Sequence, residues 1–137
     1  MDDIHVTDTT LWSTRQRLKS HTSTARMIAW SSDGETLVSC GHDRRLCIWS
    51  PSDGRLRHEL QGHRSIIRWV TISPDGRTIL SSDQSGNVNL WHLATGELIG
   101  QLWSDEQIPL RSLGFSKQMR LVALSHGNKL VTFDFSD

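Results

Sequence analysis

The chain of 137 residues contains no tyrosine, only three prolines and only two cysteines. Cys40 and Cys47 are too few for a disulfide scaffold, so we expect a reducing, cytoplasmic compartment. Its 15 Lys and Arg residues balance 15 Asp and Glu residues. This neutral balance argues against a general nucleic-acid binder, because such proteins carry an overall basic charge.

Long apolar segments are also missing. No apolar run approaches the roughly 18 residues of a membrane span, and the mean hydropathy is −0.41. Residues 1–5 lack the basic and apolar regions of a signal peptide. No segment shows a sustained 3.6-residue apolar stripe, so the helix content should be close to zero. The sequence therefore predicts an all-β domain with no membrane attachment.

A repeat with a period of 42 residues runs through most of the chain. The segment at 31–34 (Ser-Ser-Asp-Gly) returns at 73–76 (Ser-Pro-Asp-Gly), and 46–49 (Leu-Cys-Ile-Trp) returns at 88–91 (Val-Asn-Leu-Trp). A third copy places 130–133 (Leu-Val-Thr-Phe) at the same position. Such agreement in phase indicates an array of similar structural units.

Each repeat predicts four antiparallel strands, A to D. In the first repeat they fall at about 26–31, 36–40, 45–49 and 55–60, and the second repeat adds 42 to each. The Asp-Gly pairs between strands A and B are hairpin turns, because glycine accepts the positive φ that a tight turn requires. The third repeat is one residue shorter before Leu121, so that Phe115 aligns with Trp30 and Ile72.

These motifs resemble WD40 repeats, the blades of a β-propeller. The resemblance is carried by Gly62-His63, the turn at 73–76, Leu37-x-Ser39 before Asp43, and the strand-C tryptophans Trp49 and Trp91. The sequence departs from the family at the dipeptide that names it, which is Trp-Ser and Trp-His here. The resemblance implies four-stranded antiparallel blades, about three of them in this chain.

The resemblance also implies a buried hydrogen-bonded tetrad of His, Ser, Asp and Trp in each blade. The matching residues are His21, Ser39, Asp43 and Trp49 in the first repeat and His63, Ser81 and Trp91 in the second. The second repeat has Ser85 at the Asp position, and the third has Ala123, Gly127 and Phe133. We therefore expect a complete network in the first blade, a partial network in the second and apolar packing in the third.

The same His, Ser and Asp are also the parts of a hydrolase triad. The structural interpretation is favoured because Ser39 lies within a predicted strand and no Gly-x-Ser-x-Gly turn exists. Cys40 and Cys47 with His42 match no common zinc spacing. No catalytic residue, cofactor or metal site is predicted.

Three blades do not make a ring. Two bare blade faces that each lost burial of about 400 Å² of apolar surface would cost on the order of 10 kcal/mol per face. We therefore expect a ring completed by a second copy, giving six blades, or by another WD40-like chain; a fragment of a longer propeller is the third alternative. The predicted organisation is a tail at 1–10 and a partial propeller at 11–137, with blades at roughly 22–60, 64–102 and 109–135. Residues 11–18 form a strand D that closes a blade, and residues 4–6 compete as a strand C.

A rim at the start of each strand A is the predicted partner site. Arginine recurs there at Arg26, Arg68 and Arg111, and the B–C turns add His42, Gln84 and His126, with Arg44 and Arg45 nearby. Guanidinium groups suit carboxylates or phosphates, although arginine at such a position also serves packing and local ion pairs. The expected function is a non-enzymatic interaction scaffold or sensor module for a protein or peptide, acidic in character. Phosphate or nucleic-acid binding at the rim is the alternative, and a hydrolase ranks below both.

Overall fold

A computed structural model describes residues 4–8, 13–103, 110–116, 121–125 and 130–133, with side chains at 4–7, 17–101 and 113–116. Within these ranges the chain forms thirteen strands and no helix. The all-β prediction is confirmed. The described part of the chain accordingly offers no helix that could cross a membrane.

The strands form four antiparallel sheets in chain order. An N-terminal pair consists of β1 (Ile4–Asp8) and β2 (Ser13–Leu18). Blade one is β3 (Ala25–Trp30), β4 (Leu37–Gly41), β5 (Arg45–Ser50) and β6 (Arg55–Gln61). Blade two is β7 (Ile67–Ile72), β8 (Thr78–Asp83), β9 (Asn87–His92) and β10 (Leu98–Trp103). Blade three is β11 (Leu110–Phe115), β12 (Leu121–Ser125) and β13 (Leu130–Phe133).

The N-terminal segment corrects one expectation. The sequence predicts a tail at 1–10, but Ile4–Asp8 forms β1 and pairs antiparallel with β2. Ile4 faces Leu18 in the pair, as Leu46 faces Leu60 between β5 and β6. Strands β1 and β2 therefore occupy the C and D positions of a blade, and closure of a further blade by β2 stays a prediction.

The A–B turns form where the sequence predicts them. In blade one the Ser31 hydroxyl donates to Asp33 Oδ1 at 2.5 Å, and the backbone N–H of Thr36 donates to Ser31 Oγ at 3.0 Å. Ser73, Asp75 and Thr78 repeat this arrangement in blade two. Gly34 and Gly76 close the turns with φ of 75° and 72°, a conformation that strains residues with a Cβ.

The apolar core lies between consecutive sheets. Each sheet exposes two faces, and burial of one against its neighbour supplies most of the stability. The clusters are Ile4, Val6, Leu18, Leu37, Cys47 and Trp49 beneath the N-terminal pair; Val38, Cys40, Leu46, Ile48, Leu60, Ile67, Val70, Ile79 and Trp91 between blades one and two; and Leu80, Val88, Leu90, Leu113 and Phe115 between blades two and three. The chain is thus a stack of sheets in which each interface depends on both neighbours.

Candidate functional site

A buried polar network anchors blade one. The indole N–H of Trp49 donates to Ser39 Oγ at 2.8 Å, and Ser39 Oγ lies 2.7 Å from Nε2 of His21. Nδ1 of His21 lies 2.8 Å from Asp43 Oδ2. Because the carboxylate only accepts, His21 carries its proton on Nδ1 and accepts from the Ser39 hydroxyl at Nε2. The structure thus brings together all four residues matched in the first repeat.

The network of blade two is also complete, so the expectation of a partial one is wrong. Trp91 donates to Ser81 Oγ at 2.8 Å, and Ser81 Oγ lies 2.7 Å from Nε2 of His63. Nδ1 of His63 lies 2.9 Å from Asp83 Oδ2. The carboxylate comes from the end of β8 and not from position 85 in the following turn. Ser81 and Asp83 are two residues apart in a strand and so face the same side, which is the sequence signal that comparison by repeat position missed.

Both carboxylates are held in the charged form. Burial raises the pKa of Asp83, but hydrogen bonds from His63 and Asn87 outweigh it and lower the pKa to about 2. Burial also raises the pKa of Asp43, and hydrogen bonds from His21 and from the backbone N–H of Thr22 bring it below its usual value. Each network therefore ends in a negative charge that fixes the histidine tautomer.

The arrangement of Ser39, His21 and Asp43 matches a hydrolase triad in its hydrogen bonds but not in its access. The Ser39 side chain is fully buried, with 0% of the residue exposed, and its oxygen already accepts the Trp49 indole proton. A nucleophile must reach a substrate carbonyl. The four residues therefore support the blade: they join the loop before strand A to strands B and C.

The third network and part of the rim lie outside the described side chains. The side chains of Ala123, Phe133 and Arg111 lie outside the described ones, and His126 and Gly127 lie outside the described residues. The expectation of apolar packing in blade three stays a prediction.

The predicted arginines occupy one specific backbone feature. The A–B pairing is interrupted by a β-bulge between Ala25 and Met27, between Ile67 and Trp69, and between Leu110 and Ser112. The inserted residues are Arg26, Arg68 and Arg111. A bulge leaves its residue outside the regular pairing and redirects its side chain. Arginine therefore stands at the same irregularity in all three blades.

In blades one and two the B–C turns lie at the same end as the bulges. Backbone N–H groups of His42 and Gln84 donate to the carbonyls of Thr24 at 3.0 Å and Ile66 at 2.8 Å, which ties each turn to the residues just before strand A. Both side chains are exposed. Arg44, two residues after His42, is exposed and has a φ of 64°, which costs a non-glycine residue about 1–2 kcal/mol. The turns and bulges together form the candidate rim, composed of Arg26, Arg68, His42, Arg44 and Gln84 among the described side chains.

Arg26 and Arg68 differ in exposure. Arg26 is exposed and Arg68 is partly buried. Nε of Arg68 is buried without a hydrogen-bond partner. No ion pair involves Arg26, Arg44 or Arg68 within the part of the chain whose side chains are described. These guanidinium groups retain donors for an external acceptor.

Arg45, also predicted at the rim, is engaged inside blade one. Its guanidinium lies 3.1 Å from Asp43 Oδ2 and 2.5 Å from Glu59 Oε1, and it donates to the Ser20 carbonyl. Asn87, at the matching repeat position, donates to Asp83 at 3.0 Å. Arg45 therefore positions the tetrad carboxylate and is left out of the candidate rim.

The two cysteines lie on opposite faces of blade one. Cys40 packs between blades one and two, and Cys47 packs beneath the N-terminal pair. Burial raises the pKa of both thiols to about 12. No group of three or more His, Cys, Asp or Glu suited to a metal occurs among the described residues. The two thiols act as small core side chains.

Comparison with known proteins identifies a family whose model matches the chain. A family model described as "WD domain, G-beta repeat" matches residues 12–50 and 54–92, more than half of the chain. Over 39 residues the sequence is 44% identical to Protein HIR1 of Candida albicans, a stretch that covers 28% of this chain and 4% of that protein. The chain thus matches only a small part of that relative's length.

Proposed function

Because the chain belongs to the WD40 repeat family, whose members are generally non-enzymatic interaction scaffolds, we propose that it is a non-enzymatic scaffold that binds an acidic protein segment at the rim. A repeated blade offers equivalent loops side by side, so that one ligand can contact several repeats at once. We propose that the protein acts in the cytoplasm.

One observation carries this proposal: arginine occupies the strand-A bulge of every blade. A solvated arginine needs no special backbone, whereas a bulge directs its side chain away from the sheet ladder. Planar guanidinium groups bind carboxylates through paired hydrogen bonds. Several of them at equivalent positions suit a segment with several Asp or Glu residues.

The exposed B–C turns extend the same surface. His42 and Gln84 offer hydrogen-bonding groups beside the arginines, and Arg44 adds a positive charge from a strained backbone position. Strain of this kind persists where the surrounding structure holds it and is often found at functional sites. Because the overall charge of the chain is neutral, a local acidic segment is favoured as the ligand over a long polyanion.

The test uses a fluorescein-labelled decapeptide rich in Glu, with the Gln decapeptide as its neutral control. We expect saturable binding of the Glu peptide by fluorescence polarisation, and Arg26→Ala with Arg68→Ala should weaken it at least about tenfold. The matched control is Arg57→Ala with Arg77→Ala, which removes the same charge from exposed residues outside the rim. Equal loss in both double variants, or equal binding of the Gln peptide, would contradict the proposal.

The salt dependence of binding distinguishes a phosphate ligand from an acidic protein segment. Binding to a labelled DNA duplex that weakened steeply with salt, with a log–log slope of several units, would indicate phosphate neutralisation. We expect a shallow slope and weaker binding to the duplex than to the Glu peptide. A steep slope together with tighter duplex binding would replace the acidic peptide by a nucleic acid.

We also propose that the scaffold acts as a closed ring, completed by a second copy, by another WD40-like chain or by further blades of a longer propeller. The support is physical: an open stack leaves apolar faces in water, and a closed ring leaves none.

A further inference from the structure

A polar cavity lies beside the buried network of blade two. Its volume is about 320 Å³, and among the described residues it is lined by Gly62, Arg64, Asn87 and Gln101. A water molecule takes up about 30 Å³ in the liquid, so the cavity has room for a side chain of several heavy atoms. None of the four lining residues belongs to the candidate rim or to a tetrad.

The repeat shows what stands at the same place in blade one. There the guanidinium of Arg45 donates to Glu59 Oε1 and to the carbonyl of Ser20, both at 2.5 Å. Three lining residues of the cavity are the counterparts of these groups, 42 positions later: Gly62 of Ser20, Asn87 of Arg45 and Gln101 of Glu59. Because asparagine is shorter than arginine, the place that the Arg45 guanidinium fills in blade one is a cavity in blade two.

A fully buried amide lies among the lining residues. Asn89 is 0% exposed, and neither its Oδ1 nor its Nδ2 has a hydrogen-bond partner among the described residues. It pairs with Gln101 between β9 and β10 and stands two residues after Asn87, on the same side of the strand. A Cβ placed on Gly62 would lie 3.6 Å from Nδ2 of Asn89. The amide therefore forms the base of the cavity, and buried groups of this kind are normally hydrogen-bonded.

The charges around the cavity favour a ligand that accepts hydrogen bonds. Blade one holds a cation at this place because two carboxylates meet it. Blade two has Gln101 in place of one carboxylate, and it has Arg64 where blade one has Thr22. The other carboxylate, Asp83, is 1% exposed and already accepts hydrogen bonds within the blade. Amide N–H donors and one positive charge therefore remain at the lining.

We propose that this cavity, defined by Gly62, Arg64, Asn87 and Gln101, binds the carboxylate of an Asp or Glu side chain. The inference deepens the proposed function and rests on it, because the acidic segment is the source of the carboxylate. The guanidinium of Arg64 pairs with the carboxylate, and the amide N–H groups of Gln101 and Asn89 donate to it. Arg64 and Gln101 are exposed, so that their side chains can turn aside and admit the ligand to Asn89.

The cavity adjoins the candidate rim. Nη1 of Arg44, a rim residue, donates to the carbonyl of Arg64 at 3.4 Å. A segment bound along the rim can therefore place one acidic side chain in the cavity while its other acidic side chains meet the arginines at the bulges. The rim then supplies general attraction, and the cavity fixes which residue of the segment lies where.

The first experiment titrates the full chain with N-acetyl-glutamate amide, a single capped residue that is too small to span the rim. NMR spectra follow the side-chain NH₂ signals, and we expect saturable shifts at Asn89 and Gln101. N-acetyl-glutamine amide has the same shape without the charge and should bind at least about tenfold more weakly. Equal or tighter binding of the glutamine probe would overturn the carboxylate as the ligand, and NH₂ signals that stay unchanged would overturn the cavity as the site.

The second experiment removes the positive charge at the cavity. Arg64→Ala should raise the dissociation constant of the glutamate probe at least about tenfold, because a hydrogen-bonded charge pair is lost. Arg77→Ala is the matched control, since Arg77 is also exposed and stands in the A–B turn at the opposite end of blade two. Equal weakening by the two variants would assign the effect to net charge and would overturn the inference.

The third experiment fills the cavity from within. Asn87→Arg combined with Gln101→Glu rebuilds the ion pair of blade one without a change in net charge. We expect this double variant to lose the shifts caused by the glutamate probe while its melting temperature does not fall. A folded double variant that still binds the probe with the affinity of the parent would show that the ligand lies elsewhere.

The rim and the cavity fail separately. Saturable shifts at Asn89 in a chain that ignores the Glu decapeptide would retain the cavity and overturn the rim. Binding of the decapeptide that depends on Arg26 and Arg68, with no response of the Asn89 signals to either ligand, would retain the rim and overturn the cavity.

Discussion

Asp83 Oδ2 lies 2.9 Å from Nδ1 of His63, although Asp83 occupies the repeat position that Gly41 holds in the preceding blade. The two blades therefore reach the same hydrogen-bonded end point by different backbone routes. In blade one the carboxylate belongs to Asp43 in the B–C turn, and in blade two it belongs to the last residue of β8. The network is conserved in geometry between the blades, whereas its sequence position is not.

Replacement of Asp83 by Ala should destabilise the protein by about 2–3 kcal/mol. Loss of the carboxylate leaves Nδ1 of His63 and the side chain of Asn87 without their acceptor in a buried site. Urea denaturation followed by tryptophan fluorescence measures the change. Ser85→Ala, at the repeat position that Asp43 holds in blade one, is the control and should stay within about 0.5 kcal/mol of the parent. The reverse order of effects would contradict the observed network.

Stability should fall in acid as Asp83 takes up a proton. Its pKa is about 2 when folded and about 3.9 when unfolded, so that the unfolded state binds protons first as the pH drops. The stabilisation is fully present above about pH 4 and is lost progressively towards pH 2. Asp43, whose pKa is also lowered, contributes in the same direction. Urea midpoints measured from pH 7 to pH 2.5 should decline below pH 4, and Asp83→Asn should make that decline shallower.

Ser39→Ala should cost about 1–3 kcal/mol, because the indole N–H of Trp49 and Nε2 of His21 both lose a buried partner. Trp49→Phe should lose less hydrogen-bond energy than Ser39→Ala, but it should also lose packing energy. The double variant tests the coupling: in a cycle the two changes should be less than additive, with an interaction of about 0.5–2 kcal/mol. Full additivity would indicate that the hydroxyl and the indole act separately.

Arg44→Gly should stabilise the protein by up to about 1 kcal/mol, because glycine accepts the φ of 64° that strains arginine. The gain is reduced by the greater freedom of glycine in the unfolded chain. Gly86, which has a φ of 88° in the matching turn of blade two, shows the residue that this backbone prefers. If Arg44 serves the rim, the same variant should weaken binding of the Glu peptide while it raises the melting temperature. Lower stability would show that the Arg44 side chain supports the turn.

The repeat made most of the fold predictable. Strand alternation, Asp-Gly turns and a fixed period placed every strand of blades one and two within one residue of its observed end. The resemblance to WD40 repeats also matched His21, Ser39, Asp43 and Trp49 to one buried network, which the structure brings together. It misled at Asp83, since a carboxylate can reach the same histidine from two positions of a hairpin.

Burial and pairing could not be predicted from the repeat. Arg26 and Arg45 are both arginines near the predicted rim, yet Arg26 is exposed on a bulge and Arg45 is held by Asp43 and Glu59. The sequence offered Ile4–Val6 as either a strand or a loose tail, and packing on Leu37, Cys47 and Trp49 decided for a strand.

The sequence by itself determined the blade, because alternation, turn residues and the spacing of tryptophans are local properties that repeat along the chain. The tertiary structure alone decided which copies of an equivalent residue are buried. Ile28 and Val70 have the same repeat position, but only Val70 has a complete neighbouring sheet against it. Burial depends on what lies across the interface, and that is set by the arrangement of sheets in space.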